Sequence, residues 1–375
     1  MEYRKWYKQD INTSLLGFGA MRLKTLDGEI DEEKALALID YAYRNGVNYF
    51  DTAMPYTNGK NESFLGKALK RYPRDSLYLA TKMSFGMINN REEALTIIDK
   101  QLANLQTEYI DMYLLHALNK NSIKQIEEWN VLDIVVGWKQ EGKIRNIGFS
   151  FHDDYETFLK ILDMYSWDFC QIQLNYMDTD FQQGIKGYYD LEERRIPVVV
   201  MEPLKGGKLA HFHDNIERIF TEYSDASIAS WAFRWVGSLP GVKSILSGMN
   251  EIDQVIDNIK TFSTFKPITI EEEKRINKVK AALYAIKAVD CTACRYCMPC
   301  TADIDIPRFF AIYNTYSMYE DIGDAKWQFN QLKSRSSMID KCIECGECAK
   351  LCPQQIDIPF QLKKMLKTMS FLFET

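Results

Sequence analysis

The stretch LYLATKMSFGMINNREEALTIIDKQLANLQTEYIDMYLLHA (77–117) reads as a strand, a helix and a second strand. Its two ends, LYLATKM (77–83) and YIDMYLLHA (109–117), are continuous apolar runs, as expected for strands that are buried on both faces. The segment between them, REEALTIIDKQLANL, has the composition and pattern of a helix. Strands that alternate with helices in this way indicate a parallel sheet.

The same unit repeats on both sides of this stretch. A helical pattern follows each further apolar run, for example over 31–46, roughly 122–141 and 153–165. Eight units in about 250 residues favour an α/β fold of the closed (β/α)8 TIM barrel type. The alternative is an open doubly wound sheet, but GFGAMR (17–22) has Arg22 where the third glycine of its dinucleotide motif belongs. The remaining predicted strands are LLGFGA (15–20), VNYFDTA (47–53), IRNIGFS (144–150), FCQIQLN (169–175), PVVVMEP (197–203) and VKSILSG (242–248).

Composition excludes several classes of protein. The 375 residues are 46% hydrophobic and 26% charged with a formal net charge of −6, which is ordinary for a globular protein. No apolar run reaches the length of about 18 residues that a transmembrane helix needs. The first ten residues lack the apolar core of a secretion signal, and no dense block of Lys and Arg indicates nucleic-acid binding. We therefore expect a cytoplasmic protein with neither nucleic acid nor membrane as a partner.

The cysteines are concentrated in the last part of the chain. Eight of the nine lie in two runs, and the spacing of the second run, with Pro353 after its last cysteine, is that of bacterial ferredoxins. A D-I-P triplet follows the last cysteine of each run, so the two runs form an internal repeat. We predict two 4Fe–4S clusters; the alternative ligand of such cysteines is zinc. The first run is Cys291, Cys294, Cys297 and Cys300, and the second is Cys342, Cys345, Cys348 and Cys352.

The sharing of these cysteines follows by analogy with two-cluster ferredoxins, in which the fourth cysteine of a run reaches the other cluster. One cluster is then assigned to Cys291, Cys294, Cys297 and Cys352, and the other to Cys342, Cys345, Cys348 and Cys300. The first run departs from the ferredoxin spacing because Cys300 comes one residue early and follows Pro299. That departure leaves the exact sharing open. The ninth cysteine, Cys170, lies in an apolar strand and is predicted to be a buried structural thiol.

These patterns divide the chain into three parts. Residues 1–265 are the barrel, residues 266–289 are a connecting helix, and residues 290–375 are a small, mostly α-helical, ferredoxin-like dicluster domain.

Four polar residues come at the ends of predicted barrel strands, where barrels of this type carry their active sites. Asp51 ends the second strand, Tyr56 follows five residues later, Lys82 ends the third strand and His116 ends the fourth. A lysine cation lowers the pKa of a tyrosine beside it, and a carboxylate holds that lysine charged. A histidine can orient a carbonyl oxygen by hydrogen bonding. Taken singly, each residue could instead be a cap, a surface charge or a core group.

The blocks FDTAMPYTNGKNESFLGKAL (50–69), LATKM (79–83) and YIDMYLLHA (109–117) resemble the signature blocks of the aldo-keto reductases. The resemblance covers residues 1–265, and the whole chain is similar to the subgroup that is fused to a ferredoxin-type domain. It implies reduction of aldehydes and ketones with NAD(P)H by a tetrad formed by Asp51, Tyr56, Lys82 and His116. Tyr56 would be the general acid.

The same resemblance implies the residues that bind the nucleotide. Ser150 and Gln171 would hold the nicotinamide carboxamide, Met201 stands where the family has a stacking tyrosine, and Leu204 and Gly206 would line the pyrophosphate loop. The adenosine end would be formed by Gly248, Gln254 and Asn258. No Lys or Arg lies between Lys243 and Lys260 to pair with a 2′-phosphate, so NADH is expected at least as much as NADPH.

The predicted function is therefore NAD(P)H-dependent reduction of a small-molecule carbonyl to an alcohol, in class EC 1.1.1. A hydride carries two electrons and each cluster carries one, so the cluster domain is assigned to electron transfer, redox sensing or docking of a redox partner protein. One alternative is a ferredoxin-linked reductase with a flavin or radical intermediate in the barrel. Another is a non-enzymatic binding protein whose fold the clusters stabilise. Five residues near strand ends predict an apolar, aromatic or steroid-like substrate pocket: Phe18, Met21, Met54, Phe85 and Phe151.

Overall fold

Eight parallel strands close into a barrel, which confirms the predicted fold and excludes the open sheet. The computed structural model describes residues 1–7, 10–333 and 335–373. The strands in these residues are β1 (Tyr3–Lys5), β2 (Asn12–Ser14), β3 (Leu16–Gly19), β4 (Thr25–Leu26), β5 (Glu29–Ile30), β6 (Tyr49–Asp51), β7 (Tyr78–Met83), β8 (Ile110–Leu118), β9 (Ile144–Phe151), β10 (Phe169–Gln173), β11 (Val198–Met201) and β12 (Val242–Ser247). Around the barrel the order is β3-β6-β7-β8-β9-β10-β11-β12, and β12 pairs with β3.

Helices alternate with the barrel strands along the chain, and the elements that follow β12 are all helical within the described residues. Those in the described ranges are α1 (Glu32–Arg44), α2 (Asn61–Leu69), α3 (Arg91–Leu105), α4 (Lys120–Glu128), α5 (Val131–Gln140), α6 (Tyr155–Met164), α7 (Gly184–Glu193), α8 (Asp214–Thr221), α9 (Ile228–Gly237), α10 (Ile252–Ser263), α11 (Ile270–Ala285), α12 (Ile306–Tyr319), α13 (Ile322–Lys333), α14 (Glu347–Lys350) and α15 (Ile358–Thr368). None of these helices is both long and apolar enough to cross a membrane, as far as the structure describes the chain.

The chain divides into two units, and the division differs from the predicted domains. The first unit is Met1–Leu209 with Ala226–Glu273, and the second is Ala210–Asp225 with Lys274–Thr375. The boundary therefore falls inside α11, which the sequence predicts as a connecting helix. Helix α8 lies in the second unit, although the sequence analysis assigns its residues to the barrel. The order of the elements along the chain does not show which unit a helix contacts in the folded protein.

The predicted single helix over 122–141 is two helices, α4 and α5. The break comes at Asn130, whose φ of 51° places it in the left-handed region. Asparagine adopts this conformation more readily than most residues, and it interrupts the helical hydrogen-bond ladder. Helix α4 begins with a capping box in which the Asn119 side chain accepts from the backbone of Ser122. This arrangement fixes the first turn of α4 next to the end of β8.

The strand register brings the polar strand ends to one mouth of the barrel. Asp51 of β6 lies opposite Gly19 of β3 and Ala80 of β7, and Lys82 lies opposite Leu114 of β8. Because all eight strands are parallel, their carboxyl ends share this mouth. The barrel strands also contribute a cluster of buried apolar side chains that includes Met112, Phe169 and Val199.

The second unit has its own apolar core. Phe309 and Phe310 of α12, Phe329 of α13 and Leu362 and Met365 of α15 are all buried in it. Helices α12 and α15 both begin at the repeated D-I-P triplets, with aspartate before the first turn and proline inside it. Proline suits the first turn because it lacks the N–H group that would have no partner there. The internal repeat therefore marks two equivalent helix starts.

Candidate active site

Lys82 and Asp51 form a buried ion pair at the barrel mouth. The Lys82 Nζ donates to Asp51 Oδ1 at 2.7 Å and to the carbonyl oxygen of Thr52 at 2.7 Å, and the Lys82 side chain is 0% exposed. Burial lowers the pKa of Lys82, but Asp51 and Tyr56 raise that pKa by more, so it lies above its ordinary value. Burial raises the pKa of Asp51 against the opposing effect of Lys82. The pair thus holds an ammonium group in a site without water contact.

Tyr56 lies beside this ammonium group. The Lys82 Nζ is 5.1 Å from the centre of the Tyr56 ring. Burial raises the pKa of Tyr56, and Lys82 offsets only part of that rise. Lys82 lowers the pKa of Tyr56, as the sequence analysis expects, but the desolvation of the phenol outweighs the cation, so the pKa lies above its ordinary value. The phenol is consequently protonated at neutral pH and can act as a proton donor.

The loop that carries Tyr56 has a strained backbone. The two residues after it, Thr57 and Asn58, have φ angles of 50° and 53°, in the left-handed region. Such conformations cost about 1–3 kcal/mol each and are concentrated at functional sites. The following helix holds the loop, since the Asn61 side chain donates to Thr57 Oγ1 at 3.2 Å.

His116 completes the group of four. Its ring centre is 6.1 Å from that of Tyr56, and the two rings are nearly perpendicular. Burial, together with the charges of Lys82 and His152, lowers the pKa of His116 to about 3, so the ring is neutral at physiological pH. Its Nδ1 is 2.5 Å from Ser84 Oγ. When this hydroxyl donates to Nδ1, the ring proton lies on Nε2, where it can be given to a substrate oxygen.

The structure therefore brings together all four residues predicted from strand ends, and their catalytic roles stay predictions. Ser84, which contacts His116, was not a sequence candidate. Ser84 is the first residue after β7. Nothing in the sequence distinguishes a serine that contacts a histidine from an ordinary loop serine at such a position.

The two residues predicted to bind the carboxamide lie side by side. Ser150 of β9 is opposite Gln171 of β10 in the sheet register. The Ser150 Oγ accepts from the backbone N–H of Ala117 at 2.7 Å, which leaves its own proton available. The Gln171 Nε2 contacts Met201 Sδ at 3.5 Å, whereas its buried Oε1 has no hydrogen-bond partner among the described residues. A buried acceptor without a partner and a free hydroxyl donor together fit an amide group.

The predicted pyrophosphate loop has the backbone that a close approach requires. Gly206 has a φ of 71° and lies in the short turn Lys205–Gly207, which Leu204 precedes after the end of β11. A Cβ atom at Gly248 would come within 2.9 Å of the Arg22 side chain. The positive φ of Gly206 therefore favours glycine in the predicted pyrophosphate loop, whereas at Gly248, in the predicted adenosine end, the Arg22 side chain packs directly on the backbone.

Gln254 and Asn258 shape the loop that precedes and begins α10. The Gln254 Oε1 accepts from the backbone N–H groups of Asn250 at 2.9 Å and Glu251 at 3.3 Å. The Asn258 Nδ2 donates to Ser247 Oγ at 3.0 Å and is buried. Both side chains thus fix the backbone of this predicted adenosine end.

Besides Arg22, which packs on Gly248, two further cations lie at this loop that the local sequence does not reveal. Lys24 and Lys34 both form ion pairs with the Glu251 carboxylate. The sequence shows no Lys or Arg near Glu251, because these two lysines come from more than 200 residues earlier in the chain. Whether a 2′-phosphate finds a partner here therefore depends on Lys24, Lys34 and Glu251 together, and not only on the residues between Lys243 and Lys260.

A cavity of about 500 Å³ opens next to His116. It corrects the predicted apolar pocket, because of the five residues proposed for that pocket only Phe85 lines it. Phe18 and Phe151 are buried in the barrel core, and Met21 is 56% exposed. The cavity is lined by Pro55, Ser84, Phe85, Gly86, Met87, His116, Ala117, Asn119, Asn121, Ser122 and Gln125.

A larger cleft, of about 740 Å³, contains none of the predicted site residues. It lies between the ends of α2 and α3, and Arg74 is its most prominent cation. The guanidinium of Arg74 is already bound to Asp111 at 2.6 Å and to the Tyr109 carbonyl oxygen at 2.8 Å. These contacts hold Arg74 against the chain at the start of β8.

The eight cysteines of the second unit line two separate cavities. One is lined by Cys291, Cys294, Cys297 and Cys352, and the other by Cys300, Cys342, Cys345 and Cys348. This grouping coincides with the sharing assigned by analogy with two-cluster ferredoxins. Burial raises the pKa of the Cys348 thiol to about 11, and a thiol in such a place is deprotonated when a metal binds it.

The cysteines of the two cavities do not form a closed single-metal site in the described part of the chain. Within the residues that the structure describes, no three His, Cys, Asp or Glu side chains converge closely enough to hold one metal ion. A tetrahedral zinc site needs such convergence, with Zn–S distances of about 2.3 Å. Each cavity is lined by four cysteines, and four cysteine thiolates are the ligand set of a 4Fe–4S cluster.

Comparison with known proteins gives two family matches. The model of the aldo/keto reductase family matches residues 15–281, and the model of the 4Fe-4S dicluster domain matches residues 290–356. L-galactose dehydrogenase of Arabidopsis thaliana is 26% identical over 310 residues, covering 76% of this chain and 96% of that protein. An aldo-keto reductase of Bacillus subtilis is 27% identical over 266 residues, covering 68% of this chain and 76% of that protein.

Solved structures agree with these matches. The holo form of an aldo-keto reductase from Bacillus halodurans is 28% identical, with a TM-score of 0.63, and covers 74% of this chain and 96% of its own. An aldo-keto reductase from Klebsiella pneumoniae in complex with NADPH is 21% identical, with a TM-score of 0.61, and covers 75% of this chain and 96% of its own. At that identity the second likeness concerns the fold alone.

Proposed function

Because the chain belongs to the aldo/keto reductase family, we propose that its barrel reduces an aldehyde or ketone to the alcohol with NADH or NADPH. The observation that carries this proposal is the buried Lys82–Asp51 pair beside the protonated Tyr56 and the neutral His116. A bound reduced nicotinamide supplies the hydride that the carbonyl carbon accepts.

The side chains supply the proton and the positive charge. Tyr56 gives its phenolic proton to the carbonyl oxygen as the hydride reaches the carbon, and solvent later returns a proton to the phenolate. Lys82 stabilises the transient phenolate, and Asp51 keeps Lys82 charged and in place. General acids of this kind contribute about 100- to 10,000-fold to a rate.

His116 positions the carbonyl oxygen. With Ser84 on its Nδ1, the Nε2–H group is the free donor of the ring, and a neutral ring does not compete with Tyr56 as an acid. The carbonyl is thus held between Nε2 of His116 and the hydroxyl of Tyr56.

The nucleotide is proposed to bind along the residues from Ser150 and Gln171, at its nicotinamide end, to the start of α10, at its adenosine end. Ser150 and Gln171 would bind the carboxamide through the free hydroxyl proton and the unpaired Oε1. Met201 would provide an apolar contact in place of a ring. The related structure from Klebsiella pneumoniae contains NADPH, so a nicotinamide nucleotide suits this fold.

The choice between NADH and NADPH is assigned to Glu251. Its carboxylate neutralises part of the charge of Lys24 and Lys34 and would repel a 2′-phosphate, so the wild-type protein should use NADH at least as well as NADPH. We expect Glu251→Gln to raise the NADPH/NADH ratio of kcat/KM by about 5-fold, a change typical of one exposed ion pair. The measurement is the steady-state rate with each nucleotide at fixed carbonyl concentration.

The matched control for Glu251→Gln is Asp253→Asn, which removes one negative charge from the same helical turn. Asp253 is exposed, and none of the described ion pairs joins it to Lys24 or Lys34. An equal change of the ratio in both variants would show that net charge alone acts, and the assignment of Glu251 would be wrong.

For the second unit we propose two 4Fe–4S clusters, one in each cysteine cavity. Each cluster would supply one-electron transfer. Their function is assigned to electron transfer, redox sensing or docking of a redox partner protein. Eight thiols of this kind need a reducing compartment, and we therefore propose a cytoplasmic location.

The dicluster domain also favours a second candidate, a ferredoxin-linked reductase that uses a flavin or radical in the barrel. An assay of anaerobically purified protein separates the two. The proposed function predicts carbonyl-dependent oxidation of NADH or NADPH with no bound flavin. Turnover driven by reduced viologen, together with stoichiometric flavin and no nicotinamide-dependent rate, would favour the second candidate.

A further inference from the structure

We propose that the hydroxyl group of Thr301 donates a hydrogen bond to the Cys345 thiolate and raises the reduction potential of the cluster that Cys345 binds. The contact is present in the structure, where Thr301 Oγ1 lies 3.3 Å from Cys345 Sγ. The inference rests on the two proposed clusters, because it concerns a residue that adjusts one of them. It goes beyond them, since it makes the surroundings of the two clusters unequal.

The direction of this hydrogen bond follows from the chemistry of the sulfur. A cysteine that binds a metal is deprotonated, so its sulfur has no proton to give and can only accept. The Thr301 hydroxyl keeps its proton and is therefore the donor. Thr301 lines the second cysteine cavity, which is the one formed by Cys300, Cys342, Cys345 and Cys348. The hydroxyl thus lies beside the proposed cluster itself.

The internal repeat places this donor in one half only. Thr301 follows the last cysteine of the first run, whereas Pro353 follows that of the second run. Pro353 lines the first cysteine cavity together with Cys294, which is the second cysteine of its run, as Cys345 is of the other. A proline side chain has no hydroxyl group. The same position of the repeat therefore has a side-chain donor beside one cavity and none beside the other.

The cysteines of the first cavity receive a hydrogen bond from the backbone. The Ala293 N–H group donates to Cys291 Sγ at 3.4 Å. Within the described ranges of the chain, no side-chain group donates to the four sulfurs of this cavity, those of Cys291, Cys294, Cys297 and Cys352. Because backbone donors are kept when a side chain is exchanged, a substitution of Thr301 isolates the effect of its hydroxyl.

The charged residues that line the two cavities are each paired with a residue of opposite sign. Arg295 lines the first cavity, and its Nη1 is 3.3 Å from Asp305 Oδ1. Glu344 lines the second cavity, and its Oε1 is 2.7 Å from Lys363 Nζ. Such pairs leave little net charge beside either cavity, so they do not replace the effect of the Thr301 hydroxyl.

A hydrogen bond to a cluster sulfur favours the reduced state. Reduction adds one electron, part of whose charge lies on the sulfurs, where the hydroxyl dipole stabilises it. Hydrogen bonds to the sulfurs are among the factors that set the potential of a cluster. Loss of this donor is expected to lower the equilibrium constant for reduction by about 5-fold, which is about 40 mV for a one-electron couple.

The test is potentiometry of the anaerobically purified full chain, with dithionite as the source of electrons and EPR spectroscopy of the reduced clusters. Thr301→Val keeps the shape of the side chain and removes the donor, so one of the two one-electron steps should move to lower potential while the other stays. Thr301→Ser keeps a hydroxyl and should retain both wild-type potentials. In the background Cys352→Ser, which leaves the cluster of Cys345 complete, Thr301→Val should shift the remaining step.

Thr292→Val is the matched control, because Thr292 also follows a cysteine and lines the first cavity, but none of the described hydrogen bonds joins it to a sulfur. It should shift neither step. Unshifted steps in a Thr301→Val variant with about eight iron atoms per chain would overturn the inference, as would equal shifts in Thr301→Ser. Thr301→Ala gives the same comparison if the valine variant binds less iron. Wild-type protein without iron would instead refute the proposed clusters.

Discussion

Tyr56→Phe is expected to lower kcat/KM for carbonyl reduction by about 1,000-fold, the middle of the range for loss of a general acid. The substitution removes the phenolic proton beside Lys82 and leaves the ring in place. Binding of NADH and NADPH should stay within about twofold of wild type, since Tyr56 is not among the residues assigned to the nucleotide. The measurements are steady-state rates and nucleotide titration.

Tyr41→Phe is the matched control, because Tyr41 is an exposed tyrosine on α1 outside the barrel mouth. Its rate should equal that of wild type. A Tyr56→Phe variant that retained more than a tenth of the wild-type rate would contradict the role of the phenol.

The pH profile gives a further readout of the same residue. Tyr56 must be protonated to act, and its pKa is raised, so reduction should be lost only as the pH rises above the ordinary tyrosine value of about 10. The pKa of His116 is lowered to about 3, so its titration adds no step near neutrality. A step near pH 6.5 would show that His116 titrates in the working range and would contradict the neutral ring.

The second large effect concerns the cysteine cavities. Cys352→Ser is expected to remove one cluster, so that the iron content falls from about eight to about four atoms per chain. The reason is that Cys352 lines the cavity of Cys291, Cys294 and Cys297, so that its loss leaves the other four cysteines complete. The measurement is iron and sulfide analysis of anaerobically purified protein. Cys170→Ala is the control, because Cys170 is buried in the barrel and should not change the iron content.

Two double variants distinguish two arrangements of the cysteines. In one, each cluster binds three cysteines of one run and the last cysteine of the other run; in the other, each run binds its own cluster. If the cavities define the clusters, Cys291→Ser/Cys352→Ser damages one cluster and keeps about four iron atoms, whereas Cys291→Ser/Cys300→Ser damages both and keeps none. If each run holds its own cluster, the two results are exchanged. Zinc in place of iron and sulfide would contradict both arrangements.

Much of the fold follows from sequence because each barrel strand is a continuous apolar run between polar segments. The observed β7 and α3 match LYLATKM and REEALTIIDKQLANL almost to the residue. The break between α4 and α5 could not be read in the same way, since it depends on the backbone angle at Asn130. The assignment of α8 to the second unit depends on contacts between distant parts of the chain.

In the site, too, the residues at strand ends could be predicted from the local sequence, whereas effects that depend on distant contacts could not. Asp51, Lys82 and His116 could be found because they end strands, and the rule for parallel barrels then places them together. The sign of the pKa shift of Tyr56 could not be found, because it depends on how much solvent the fold removes from the phenol. Lys24 and Lys34 escape a local search because their partner, Glu251, is more than 200 residues away.

The most direct test of hydride transfer in the barrel follows deuterium from nicotinamide labelled at C4. The protein is incubated anaerobically with the labelled reduced nucleotide, an aldehyde and ordinary water, and the alcohol is analysed by mass spectrometry and NMR. Direct transfer predicts about one deuterium per alcohol molecule on the carbinol carbon, with the hydroxyl proton from solvent. An alcohol that carries solvent hydrogen on that carbon, with the label released to water, would contradict direct transfer and indicate an exchanging flavin or radical intermediate.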